Sequence, residues 1–111
     1  MSIEAFKVLE VWGEGFSTGN SGPLAEILHD DFLYVGPTLN RSKEETLHWV
    51  STTPEMRLSD TEVLYENDEV FVGFFNVVRS EGRGTGRTMF FGRFKEGKVS
   101  YFRAHMAPTS G

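Results

Sequence analysis

The spacing of apolar residues changes along this chain from a helical period to a period of two. In the first half apolar side chains recur every three or four positions, which predicts amphipathic helices. In the second half they alternate with polar ones, which predicts strands. The predicted helices are residues 3–18, a short helix from Pro23 closed by His29, Asp30 and Asp31, and Lys43 to about Thr53. The predicted strands are Phe32–Gly36, Arg57–Glu66, Glu69–Arg79, Thr88–Lys95 and Gly97–Pro108.

This order of elements predicts an α+β fold in which helices pack on one face of a strongly curved antiparallel sheet. The sequence contains no internal repeat, low-complexity segment or second set of elements, so residues 1–111 are expected to form one domain. The concave face of the sheet and the helices enclose a space, and small ligands bind in spaces of this kind.

The predicted strand Glu69–Arg79 is apolar on both faces. In a one-layer antiparallel sheet the helices of the domain cover only one face. A strand that is apolar on both sides therefore predicts a second covering layer, and another copy of the chain can supply it. We expect a homodimer that forms through the sheet.

Composition narrows the functions further. Ten phenylalanines suit a ring-lined cavity that favours an apolar ligand. The net charge of −5 argues against a nucleic-acid binder, which needs basic density. The chain has no cysteine, and its three histidines lie on different predicted elements without a metal-ligand spacing. No metal and no cofactor are therefore expected.

The sequence shows no targeting or membrane signal. Its N-terminus lacks a basic region followed by an apolar run, and no apolar run approaches membrane-spanning length. No membrane partner is expected, and a cytoplasmic location is the default expectation.

Three stretches of the chain carry a family resemblance. Asn20 with Leu24–Phe32, then Ser42–Glu45, then Phe94–Val99 resemble the nuclear transport factor 2-like superfamily. That superfamily includes ketosteroid isomerases, SnoaL-like polyketide cyclases and the association domain of calmodulin-dependent kinase II. The resemblance implies a cone in which a bent antiparallel sheet wraps around a long N-terminal helix, usually dimeric through the sheet. The tail Arg103–Ala107 is most similar to the His-x-His-x-Ser tail of the association-domain branch. Arg103 replaces its first histidine, His105 retains its second histidine, and Ala107 replaces its serine.

The resemblance also implies which activities are absent. It places Gly36 where ketosteroid isomerases carry an aspartate base, Trp12 where they carry a tyrosine, and Phe90 where they carry an oxyanion-binding aspartate. Abstracting a proton beside a carbonyl needs both a base and an oxyanion donor, so ketosteroid isomerase activity is not expected. The terminal acid of SnoaL-like cyclases is missing as well, because the matching end here is Met106-Ala107.

The last strand divides its side chains between two faces. Phe102, Ala104 and Met106 point one way and suit a pocket, whereas Tyr101, Arg103 and His105 point the other way. The second set could hold a carboxylate or form hydrogen bonds across a dimer. The alternation favours the interface role for these three residues.

These patterns predict a pocket and three alternative functions. The predicted lining is Trp12, Phe16, Tyr34, Trp49, Phe75, Phe90, Phe102 and Met106, with the Tyr34 hydroxyl and the Trp12 indole as orienting donors. The first function is binding of a small, mostly apolar molecule in the cone. The second is an isomerase, cyclase or hydratase that uses Tyr34, His48 or His105 for acid–base work. The third is a dimerisation module.

Overall fold

The computed structural model describes residues 4–36, 38–54, 56–79 and 85–108. Its helices and strands, in chain order, are α1 (Ala5–Thr18), α2 (Gly22–Ile27), β1 (Leu28–Val35), β2 (Asn40–Ser42), α3 (Lys43–Ser51), β3 (Met56–Glu66), β4 (Val70–Arg79), β5 (Thr85–Lys95) and β6 (Lys98–Pro108). None of the described helices is long and apolar enough to cross a membrane. The side chain of Met106 lies outside the described residues.

The six strands form one sheet in the order β2-β1-β6-β5-β4-β3, with α1 packed against it. The predicted α+β class and the sheet built around an N-terminal helix are confirmed. The sheet differs from the prediction at one place, because β1 runs parallel to β6. After β1 and β2 the chain crosses through α3 to the far edge, and the antiparallel strands β3 to β6 then lead back to β1.

The predicted closure of the second helix at His29, Asp30 and Asp31 is wrong. The helix ends at Ile27, and the backbone is already extended at Leu28, which begins β1. The His29 ring instead reaches the turn between β5 and β6, where its Nε2 lies 2.7 Å from Glu96 Oε1. The main-chain N–H of Asp31 donates to His29 Nδ1 at 3.0 Å, so Nε2 carries the proton that His29 donates to Glu96. That hydrogen bond lowers the pKa of Glu96.

Aromatic rings from α1 and from the sheet form the core. Trp12 and Phe16 lie four residues apart on the buried face of α1, as helical geometry requires. The Trp12 ring packs on Phe102 of β6, with 4.7 Å between the ring centroids. Phe71, Phe90 and Phe94 continue this cluster across β4 and β5, and all three are buried. Phe6, on the other face of α1, is 53% exposed.

A bulge bends the edge of the sheet at Asp60. The β3–β4 register shifts between Ser59 and Glu62, and Asp60 has a φ of 52°. Side chains from the neighbouring strands hold this distortion in place. Asn76 Nδ2 donates to Asp60 Oδ2 at 2.9 Å, and Arg87 donates to the Asp60 carbonyl oxygen at 3.1 Å. Bulges increase local twist, which helps an open sheet to curve.

The Phe71 ring lies directly on Gly92, its cross-strand partner in β5. A Cβ atom built on Gly92 would overlap the ring, so no larger residue fits there without moving it. Glycine in a strand interior often marks such a close approach. This contact lets the ring cover the sheet and join the core.

Replacing Gly92 by alanine tests this contact. We expect Gly92→Ala to lower the free energy of unfolding by about 1–3 kcal/mol, since overpacking forces side chains off their preferred rotamers. Gly13→Ala is the control, because a Cβ on Gly13 would meet only the Leu58 side chain at 3.6 Å. In a helix that change is expected to stabilise by up to about 1 kcal/mol. Urea unfolding followed by circular dichroism measures both, and an unchanged Gly92→Ala midpoint would contradict the tight packing.

Candidate functional site

A cavity of about 350 Å³ opens between α1, α3 and the concave face of the sheet. Its volume lies in the range of small-molecule sites. Its described lining is mostly apolar and aromatic, and consists of Leu9, Trp12, Phe16, Tyr34, Gly36, Thr38, Leu39, Arg41, Trp49, Met56, Leu58, Phe75, Val77, Thr88 and Phe102.

Most of the residues predicted for the pocket meet at this cavity. Six of the eight line it, namely Trp12, Phe16, Tyr34, Trp49, Phe75 and Phe102. Phe90 does not, because its fully buried ring lies in the core, stacked near Phe75 at 5.6 Å and Phe102 at 5.7 Å between centroids. Alternation assigns a side chain to a face of the sheet but does not say whether another ring covers it. For Met106, only the backbone pairing with Thr88 is described.

Five elements supply the rings of the cavity wall, namely α1, α3, β1, β4 and β6. Tyr34 of β1 is the parallel neighbour of Phe102 in β6, and their rings are stacked with 6.2 Å between centroids. Trp49 comes from α3 and packs edge-on against Phe16 of α1 at 5.1 Å. Trp49 also lies 5.3 Å from the Tyr34 ring. The wall therefore depends on the packing of α1 and α3 onto β1 and β6.

The sequence analysis missed Arg41, which the structure places at the cavity. Arg41 lies in β2 directly opposite Tyr34 of β1. Its guanidinium carbon lies 4.2 Å from the centroid of the Trp49 ring and 5.6 Å from that of Tyr34. It is the only charged side chain among the described residues that line the cavity. A strand of three residues is too short for its alternation to predict which way Arg41 points.

Thr88 is another cavity residue that the sequence analysis missed. Its side chain is 3% exposed, and its hydroxyl has no hydrogen-bond partner among the described residues. Thr88 lies two residues before Phe90 on the same face of β5, so extending the alternation by one step would have found it. The Thr88 hydroxyl oxygen is itself buried, and Thr46, which does not line the cavity, has a similarly buried hydroxyl without a described partner, so this feature does not mark a ligand site.

The three candidate acid–base residues do not meet. His48 is exposed on α3 and does not line the cavity. His105 is exposed on the outer face of β6, where its Nε2 accepts a hydrogen bond from Arg103 Nε at 3.1 Å. Tyr101 is half-buried on that same face, with the Arg93 guanidinium 5.5 Å from its ring. Only Tyr34 lines the cavity.

The environment of Tyr34 makes it a donor rather than a base. Burial raises the pKa of the Tyr34 hydroxyl, and the nearby charge of Arg41 lowers it by a smaller amount. The hydroxyl therefore stays protonated at neutral pH and can donate a hydrogen bond. No carboxylate or imidazole is among the described lining residues, so the described part of the cavity offers no general base.

Gly36 lines the cavity at the position where the resemblance implies an isomerase base. A Cβ on Gly36 would lie 3.3 Å from Cε1 of Tyr34 and 3.2 Å from the main-chain oxygen of Leu39. The Tyr34 ring thus takes up the space next to this position. Elsewhere, no group of three or more His, Cys, Asp or Glu residues within residues 4–36, 38–54, 56–79 and 85–108 could hold a metal ion.

Comparison with known proteins identifies the fold. No family model and no curated protein matches the sequence. Among solved structures, a nuclear transport factor 2-like protein from Anabaena variabilis is 16% identical, with 93% of this chain and 86% of that chain covered and a TM-score of 0.76. A nuclear transport factor 2-like protein of unknown function from Burkholderia xenovorans is 12% identical, with 96% and 84% covered and a TM-score of 0.73.

A third similar structure is an LEH-like epoxide hydrolase from M. tuberculosis. It is 9% identical, with 91% of this chain and 80% of that chain covered and a TM-score of 0.68. The chain therefore has the nuclear transport factor 2-like fold that the sequence resemblance implies. At these identities the likeness shows the fold alone.

The protonated state of Tyr34 predicts how stability depends on pH. A raised pKa means that the folded state holds the phenolic proton more tightly than the unfolded state. This stabilising contribution is complete below the ordinary value of 10.0 and is lost as the pH rises through the higher pKa of the folded protein. As the pH rises from 10.0 through the higher pKa of the folded protein, we expect the free energy of unfolding of Tyr34→Phe to fall less steeply than that of the wild type. Urea unfolding at a series of pH values measures both proteins. Equal slopes for the two proteins would contradict the raised pKa.

Proposed function

We propose that this chain binds a small, mostly apolar molecule in the cavity and does not transform it. The observation that carries the proposal is a ring-lined space of about 350 Å³ that the side chains of the cone leave open. The cavity has apolar area for affinity and few polar groups for orientation, which is the usual composition of a small-molecule site. The Tyr34 hydroxyl and the Trp12 indole are the orienting donors in this proposal.

The enzyme alternative has less support. An isomerase, cyclase or hydratase needs a group that accepts a proton from the substrate or from water. Of Tyr34, His48 and His105, only Tyr34 lines the cavity, and its raised pKa keeps it protonated at neutral pH. The similar LEH-like epoxide hydrolase is an enzyme by its name, but its likeness to this chain extends to the fold alone. Binding without chemistry therefore accounts better for the described groups.

The outer face of the sheet supports a second proposal, that two copies of the chain pair through it. Val72 faces Phe91 across β4 and β5, and Phe74 faces Met89. These side chains are half-buried or exposed, and Met89 is 48% exposed. A second copy is the occupant we propose, because a two-fold axis through β5 places this stripe against itself. The Arg103–His105 pair would then lie at the seam between the subunits.

Binding in the cavity is expected to change tryptophan fluorescence, because both tryptophans of the chain line the cavity. We expect steroid-like molecules and aromatic acids from a screening library to shift the emission of the wild type and to raise its melting temperature. Val77→Phe, which places a ring in the cavity, is expected to weaken binding of any such compound about tenfold or more.

The control for this variant is Val78→Phe, the same substitution at the next residue of β4, which points to the outer face. It is expected to leave the affinity unchanged. If both variants bind as the wild type does, the ligand does not occupy the cavity. If no compound of the library binds the wild type, the proposed function is wrong.

A charge on the outer face tests the dimer. We expect the wild type to sediment as a dimer at micromolar concentration and Met89→Asp to sediment as a monomer, since an unpaired charge at the centre of an apolar interface is costly. Phe6→Asp is the control, because Phe6 is similarly exposed but lies on α1. Analytical ultracentrifugation measures all three proteins. A monomeric wild type would contradict the proposal.

A further inference from the structure

Arg41 has an unusual setting for a cation. Its guanidinium covers the Trp49 ring at 4.2 Å, at the point where β2 and α3 meet the cavity. Among the described residues it has no ion-pair partner. The nearby Glu45 is held elsewhere, because its Oε1 accepts from the main-chain N–H of Ser42 at 2.8 Å in the capping box of α3. Hydrogen bonds from Ser42 lower the pKa of Glu45, and the nearby charge of Arg41 lowers it further, so Arg41 interacts with this carboxylate at a distance without forming an ion pair with it.

Stacking on a ring uses the flat face of a guanidinium and leaves the N–H groups at its edge. Arginine has five such donors, arranged in a planar fork that fits the two oxygens of a carboxylate. None of the described residues accepts a hydrogen bond from the Arg41 side chain. Trp49 and Tyr34 restrict the guanidinium on one side, so its donors are held in place before a ligand arrives.

Thr88 shows how little polar surface the rest of the cavity offers. Its side chain is 3% exposed and its hydroxyl oxygen is buried, so it presents almost no polar surface to a ligand. It lies in β5, three strands away from Arg41 in β2. The described lining thus has one charged group, towards one edge of the sheet, and mostly aromatic and aliphatic side chains elsewhere.

We propose that the molecule bound in the cavity is an apolar monocarboxylic acid whose carboxylate pairs with Arg41. The body of the acid packs on the rings of Trp12, Tyr34 and Phe102. This inference rests on the proposed binding function and specifies its ligand class. One guanidinium balances one negative charge, whereas a phosphate dianion would leave charge uncompensated in a site with no other described cation.

The competing explanation is that Arg41 only covers the rings. An arginine stem and guanidinium can shield aromatic surface without binding anything. The two explanations predict different results when the positive charge of the Arg41 side chain is removed but its length is kept. Arg41→Met retains an unbranched apolar side chain over Trp49, so it preserves the cover and removes the anion-binding fork. Arg41→Lys retains the charge but loses the planar fork.

The test uses pairs of ligands that differ only in charge, namely 4-phenylbutyric acid with 4-phenylbutyramide, and deoxycholic acid with its primary amide. Isothermal titration calorimetry at pH 7 measures each ligand against the wild type, Arg41→Met and Arg41→Lys. We expect the wild type to bind at least one acid about ten- to a hundredfold more tightly than its amide. Raising the salt from roughly 50 mM to roughly 500 mM should weaken acid binding and leave amide binding unchanged.

In Arg41→Met the affinity for the acid should fall about ten- to a hundredfold, so that the preference for the acid disappears, while the amide loses only the weaker hydrogen bonds of a neutral ligand. Circular dichroism checks that the variant is still folded. Arg41→Lys should retain part of the preference. If the wild type binds acid and amide equally, or if Arg41→Met keeps the preference, the role of Arg41 is wrong and binding in the cavity stands. If neither member of any pair binds the wild type, both proposals are overturned.

Discussion

The contact between the Phe71 ring and Gly92 is the constraint on which the rest of the structure depends. The missing side chain at Gly92 leaves room for the tip of the Phe71 ring against β5, and the same ring contacts Phe90, Phe94 and Phe102. Phe102 in turn carries Trp12 of α1. A continuous series of ring contacts therefore runs from the middle of the sheet to the helix. It fixes how closely α1 approaches the sheet, and so how much of the cone stays open.

The same packing explains why so few ionisable side chains are found among the described residues that line the cavity. Rings from α1, α3, β1, β4 and β6 surround it, and a carboxylate side chain placed among them away from Arg41 would lose its hydration without a partner. A charged side chain is tolerated at position 41 because the flat guanidinium stacks on Trp49 and the Arg41 side chain is only half-buried. Tyr34 is tolerated because its hydroxyl is neutral, and burial raises its pKa and so keeps it neutral. This setting is the basis of the proposal that the cavity holds a molecule without moving its protons.

The sheet separates two kinds of surface. Its inner face carries the rings of the core and the cavity. Its outer face carries an apolar stripe along β4 and β5 with arginines at the margins, and the guanidinium of Arg87 lies 5.3 Å from the Phe74 ring. Because successive strand residues point to opposite faces, neighbours such as Phe102 and Arg103 have unrelated roles. His105 belongs to the outer face, which removes it from the chemistry of the cavity.

The sequence by itself determined the features that depend on local period. Helical and strand spacing indicated the α+β class, and alternation along the last strand placed Phe102 on the side that lines the cavity. The tertiary structure decided what depends on which elements become neighbours. The parallel pairing of β1 with β6, the strand at His29 and the burial of Phe90 result from contacts between residues far apart in sequence. The place of Arg41 over Trp49 depends on how β2 and α3 pack beside the cavity. No local pattern encodes such contacts, because side-chain period specifies a face and not the partner that covers it.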